Sequence, residues 1–97
     1  MAAYIVVEIQ ITDPVKYQEY AKLAGKTVQE FGGEYLVRST EAETLEGGWK
    51  PPRLVILKFE NKERAKAWWS SEQYREPKAM RQSASITRMV VVDGYQP

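Results

Sequence analysis

The chain has 97 residues, 43% of them hydrophobic and 28% charged, with 14 basic and 13 acidic side chains and a net charge of +1. That is the length of one compact domain, able to hide roughly 60–70% of the surface its unfolded chain exposes. With neither cysteine nor histidine, the chain itself cannot form disulfides, thiolate metal sites, thiol nucleophiles, a Ser-His-Asp triad or histidine-ligated metal and haem centres.

Residues Ala3–Ile11 alternate. Ile5, Val7, Ile9 and Ile11 point one way and Tyr4, Val6, Glu8 and Gln10 the other, which predicts a strand. Asp13-Pro14 then supplies an N-cap and a proline at the first helical position. Tyr17, Ala21, Ala24, Val28 and Phe31 recur every three or four residues as one face of an amphipathic helix, which Gly32-Gly33 ends. Glu34–Ser39 is predicted to be a second strand, followed by a long irregular hairpin loop from Thr40 to Pro52. Arg53–Glu60 is the third strand, with Val55, Leu57 and Phe59 on one face and Leu54, Ile56 and Lys58 on the other. Asn61 caps a helix through Ala65, Trp68 and Trp69. Ser70-Ser71 marks a new start, Ser70 and Gln73 having capping-box spacing. Pro77 is expected to break or kink this segment near Glu76 before it continues through Ala84. Ile86–Asp93 is the last strand.

The order β-α-β-β-α-β, with no repeat and no linker, predicts an α+β fold of ferredoxin-like type over residues 1–97. Right-handed crossovers place both helices on one face of a four-stranded antiparallel sheet. The other face carries Val6, Leu36, Ile56 and part of Val90–Val92, an apolar area too large to remain wet. A homodimer sealed through this open face is the expected partner, two sheets then closing into an α/β barrel. No Lys/Arg block, phosphate loop, dinucleotide fingerprint or RNA-recognition pattern is present, so no nucleic-acid partner is expected. The longest apolar runs are strand-sized, which argues against a membrane helix, and the N-terminus lacks a basic leader region. A cytoplasmic location, no cofactor and no metal are expected.

Several separated blocks resemble the domain of unknown function 1330 (DUF1330) family of the dimeric α/β-barrel superfamily. They are the TDP start of the first helix with Tyr17 and Tyr20, GGEYLVR ending at Arg38, LEGGWKPPRLVILKF with Trp49 and Arg53, AKAWWSSEQY and KAMRQ. The resemblance implies a dimeric ferredoxin-like barrel of unassigned role. The superfamily includes cofactor-independent monooxygenases, muconolactone isomerases and haem-dependent chlorite dismutases, but none of their catalytic residues carries over to this chain.

Among candidate ligand-binding residues, Arg38 comes first. Regular alternation from Tyr35 and Val37 places it beside Leu36 on the open face, where its planar fork suits a carboxylate; the alternatives are an ion pair with Glu8 or Asp93, or a solvent rim. Glu8 also lies on that face. It could have a raised pKa and act as a base if enclosed, or form a salt bridge to Lys58 of the neighbouring third strand. Trp68 and Trp69 lie 100° apart on their helix and cannot both enter the core, so Trp69 is a candidate to flank a pocket or interface. Trp49, after two glycines, is either a lid or, as favoured here, an anchor on a partner subunit. Tyr20 could reach a pocket mouth. Tyr74 and Arg81 share a helix face only if Pro77 leaves the helix continuous. The function expected is binding or transformation of a small acidic or aromatic metabolite without metal. The alternative is a non-enzymatic dimerisation or ligand-sensing module, in which Glu8, Lys58 and Arg38 pair with one another and no sizeable cavity exists.

Overall fold

Alternating side chains make β1 (Ala3–Ile11), and the caps read from sequence bound the first helix, α1 (Pro14–Glu30). The Asp13 carboxylate accepts from Lys16 N at 3.1 Å, satisfying one of the free N–H groups of the first turn. At the other end Gly32 takes φ +74°, and a Cβ on Gly33 would come within 2.7 Å of the Phe59 ring. The two glycines therefore do separate work: one turns the chain, the other lets it pass against the core. The remaining elements are β2 (Glu34–Ser39), β3 (Leu54–Phe59), α2 (Lys62–Trp69), α3 (Glu72–Ala84) and β4 (Ser85–Asp93). The computed structural model describes residues 1–97.

The sheet order is β2-β3-β1-β4, every pair antiparallel, the α+β ferredoxin-like arrangement expected from the element order. One face carries Ile5, Val7, Ile9, Val55, Leu57 and Phe59, all buried under the helices against Val28, Trp68 and Tyr74. Only that side is covered, and the molecule is a slab 35 × 31 × 15 Å. On the bare side Val6 stands opposite both Ile56 and Val90, and Val90 and Val92 are 57% and 44% exposed. No helix is long and apolar enough to cross a membrane.

Two sequence expectations fail here. Strand β2 is not regular: Tyr35 pairs with Leu57 but Val37 with Ile56, so Leu36 is an extra residue without a cross-strand partner. A bulge of this kind reverses the alternation beyond it. Arg38 consequently stands opposite Val55, on the helix-covered face rather than the open one. Pro77, for its part, breaks nothing. The one interruption is the new start expected at Ser70-Ser71, where α2 ends at Trp69 and Ser71, rather than Ser70, caps α3 by accepting from Tyr74 N at 3.1 Å. Pro77 lies on the buried stripe of α3 with Tyr74, Arg81 and Ala84, so burial of its ring offsets the missing hydrogen bond.

Candidate functional site

Continuity of α3 puts Tyr74 and Arg81 two turns apart on one face, and Arg81 Nε donates to the Tyr74 hydroxyl at 3.2 Å. Tyr74 in turn shares a 2.7 Å hydrogen bond with the hydroxyl of Tyr20, on the buried face of α1. Of the two phenolic protons, the bond between the rings uses one. The other is left on whichever hydroxyl accepts in that bond. Burial, reinforced by the neighbouring Tyr74, pushes the Tyr20 hydroxyl far above its ordinary pKa, so it stays protonated and can donate. Burial also raises Tyr17 and Tyr35, with Arg53 and Arg38 respectively opposing the effect.

Tyr17, Tyr20, Tyr35 and Arg81 line a small cavity of about 40 Å³ between the helices and the sheet; Tyr74 is fully buried and reaches it only through its hydrogen bonds to Tyr20 and Arg81. Three arginines reach it: Arg38 from β2, Arg53 from the start of β3 and Arg81 from α3. Arg38 lies over the Tyr35 ring at 4.9 Å and Arg53 over the Tyr17 ring at 5.6 Å. Arg81 is only 4% exposed, and the buried Nε of Arg53 has no hydrogen-bond partner. No Asp or Glu lines the cavity, and none of the three arginines takes part in an ion pair; the salt bridges are Lys62–Asp93, Arg75–Glu72 and Arg88–Glu8. Arg38 is exposed and Arg53 half-buried, but for the buried Arg81 a charge withdrawn from water without a counter-charge is costly. A site of guanidinium and phenol donors therefore suits an anion and offers nothing to a metal cation; no cluster of acidic residues able to hold a metal exists.

A second, larger cavity of about 680 Å³ lies between α2, α3 and β4. Trp69, 43% exposed, forms part of its wall, and the Lys78 ammonium sits 3.7 Å from the centre of its ring. Trp68, by contrast, is 1% exposed and donates to Thr27 Oγ1 at 3.0 Å, which fits the expectation that only one of the adjacent tryptophans enters the core.

The remaining candidates gather on the opposite side of the sheet. Glu8 is bonded to Arg88 through one carboxylate oxygen and accepts from Trp49 Nε1 at 2.8 Å through the other. Its expected partner, Lys58, instead stands opposite Tyr4 and Glu34. The Trp49 and Arg88 hydrogen bonds hold the Glu8 carboxyl below its ordinary pKa, the reverse of what a poised base needs. Trp49 itself is 56% exposed, tied by Glu8 across the bare face of the sheet. The eight candidates thus divide: Tyr20, Arg38 and Arg81 meet at the cavity, Tyr74 is bonded to two of them from the core, Trp69 borders the groove beside it, and Glu8, Trp49 and Lys58 lie on the far face. Sequence reading missed Arg53 and Arg88. Arg53 had a usable signal, because the alternation of Val55, Leu57 and Phe59 extended two residues back puts it in core register. Arg88 had none, since its position opposite Glu8 depends on the register of β4.

No protein of curated function matches the chain. Among solved structures it is similar to the RPA0582 protein of unknown function from Rhodopseudomonas palustris, at 15% identity and a TM-score of 0.81, covering 99% of this chain and 84% of that one. It is also similar to a dimeric ferredoxin-like protein of unknown function from Jannaschia sp. CCS1, at 12% identity and a TM-score of 0.77 over 97% and 100% of the two chains. SnoaB, a cofactor-independent oxygenase from Streptomyces nogalater, matches at 8% identity and a TM-score of 0.68, over 99% and 95%. At such identities the likeness is one of fold. The family described as Domain of unknown function (DUF1330) matches residues 2–95, and the chain belongs to that family.

Proposed function

We propose that the protein binds a small organic anion by seating its charged group, a carboxylate or a phenolate oxygen, in the cavity between its helices and sheet, and that it works as a homodimer closed over the bare sheet face. The observation that carries the ligand reading is the convergence of Arg38, Arg53 and Arg81 on a tyrosine-lined space without an acidic partner. Arg81 and the remaining phenolic proton of the Tyr20–Tyr74 pair would hold the anion from one side, with Arg38 and Arg53 neutralising it from the other. Charge-assisted bonds of this kind are about twice as strong as neutral ones. The rival reading, a module with only structural charge pairs, needs Arg38, Glu8 and Lys58 bonded to one another. Here Glu8 is taken by Trp49 and Arg88. The homodimer is supported by the apolar row Val37, Ile56, Val6 and Val90 and by the dimeric state of the Jannaschia protein.

The test is thermal unfolding with benzoate against its neutral isostere benzamide. A ligand at 100 times its Kd adds about 2.7 kcal/mol, a rise in Tm of about 10 °C or more for a domain this size. Benzoate should stabilise the protein and benzamide should not. In Arg81→Met the benzoate effect should vanish, while the unliganded Tm stays level or rises because a buried unpaired charge is removed. Equal stabilisation by benzamide, or none by either compound, would defeat the reading.

A further inference from the structure

The inner cavity is too small for the ligand it attracts. At about 40 Å³ it is roughly an order of magnitude smaller than the sites that enclose whole small molecules. A carboxylate group fits there; an aromatic ring or an alkyl chain does not. Whatever the anion carries must lie outside the arginine cluster. The groove between α2, α3 and β4 has about 680 Å³, inside the ~300–1,000 Å³ range of small-molecule sites. Arg81 and Met89 line both spaces, so the cavity and the groove adjoin at those two residues.

We infer that the ligand is an amphipathic acid, its carboxylate on Arg81 and its apolar body along the groove. This rests on the anion-site reading above and adds the chemical class of the molecule. The groove is built for such a body. Ile5, Met89 and Val91 supply an apolar floor from the sheet, Ala65 and Trp69 a wall from α2, and Lys66 stands with the wall residues on the same helix. Trp69 is braced by Lys78, whose Nζ donates to its carbonyl at 3.0 Å and lies over its ring. A wall held in place before the ligand arrives loses less freedom on binding. Arg81 is the hinge of the assignment. It is nine-tenths buried, its Nε is spent on Tyr74, and no carboxylate meets the rest of its fork.

The test is the affinity of the full chain for the straight-chain series propanoate, butanoate, hexanoate and octanoate, measured by calorimetry. Each methylene buried in the groove should tighten binding about fourfold, the equivalent of about 0.8 kcal/mol. Thr87→Trp, which places an indole in the groove from β4, should leave propanoate unchanged and flatten the rise with length. Arg81→Met should abolish binding throughout. The wild-type series decides the matter even if Thr87→Trp does not fold. Affinity independent of chain length, with Arg81→Met still abolishing it, would overturn the groove assignment and leave the anion site standing. No binding of any acid, or equal binding of neutral 1-octanol, would overturn both.

Discussion

Glu8 shows how a single carboxylate can be read correctly for position and wrongly for chemistry. Its place on the bare face of β1 follows from alternation, but its behaviour is set by Trp49 and Arg88, which reach it from a loop and from β4. Both bonds favour the ionised form, so its pKa in the folded chain lies below the ordinary 4.5. A depressed pKa means stability that is present above the unfolded value and lost as pH falls through the folded one. The Trp49 tether should therefore be intact at neutral pH and released only in acid below about 4.5. Tryptophan fluorescence during an acid titration, compared with Trp49→Phe, reads this directly. Glu8→Gln keeps an acceptor for the indole, and its tether should persist to lower pH. A wild-type transition near neutrality would contradict the assignment. Arg38 carries the companion lesson: the open face expected for it is not the one it occupies, since it stands opposite Val55 on the helix-covered side.

At the scale of elements, local signals placed the caps and the order of strands and helices. They failed where one residue changes the geometry of many. The extra Leu36 in β2 has no mark in the sequence EYLVRS, which alternates as plausibly as a regular strand. Only the partner strand reveals that Val37 and not Leu36 stands opposite Ile56. Pro77 presents the opposite case, a strong breaker overruled by packing. An interior proline costs a helix about 3 kcal/mol relative to alanine. Its buried ring returns about 1.6 kcal/mol for the two extra methylene groups it places in the core. Pro77→Ala should thus stabilise the protein by about 1 kcal/mol, raising Tm by about 4–8 °C. Calorimetric unfolding checks it, and a fall in Tm would mean that the ring contributes more to packing than transfer energies allow. Tyr74 and Arg81 depend on this continuity: a helix broken at Glu76 would have separated the two ends of the donor network.

For the whole molecule the governing fact is asymmetry, a two-layer slab with helices on one side only. The side left bare mixes Val6, Ile56, Val90 and Val92 with the Glu8–Arg88–Trp49 group, an apolar centre beside a polar, tethered edge. The proposed dimer would use it as interfaces commonly do, with hydrophobic groups in the middle and charge at the rim. The protein should sediment at micromolar concentration with twice its chain mass of 11.2 kDa. Ile56→Glu combined with Val90→Glu puts two carboxylates on opposite sides of Val6 and should reduce it to a single chain. A wild-type monomer would remove the dimer from the proposal without touching the arginine-lined cavity, which each chain builds from its own residues.

Sequence alone determined the two-layer architecture, because the periods that distinguish strand from helix, the caps and the glycine stops are written within a few neighbouring residues. It also determined what chemistry its own side chains exclude, since a chain without histidine or cysteine has neither an imidazole base nor a thiol nucleophile. Tertiary structure decided which of those groups meet. Arg38, Arg53 and Arg81 arrive from β2, β3 and α3, and the register that turns Arg38 inward is set by hydrogen bonds to another strand. Pairing across a sheet is a long-range event, and a one-residue offset in it exchanges the two faces while leaving every local preference satisfied.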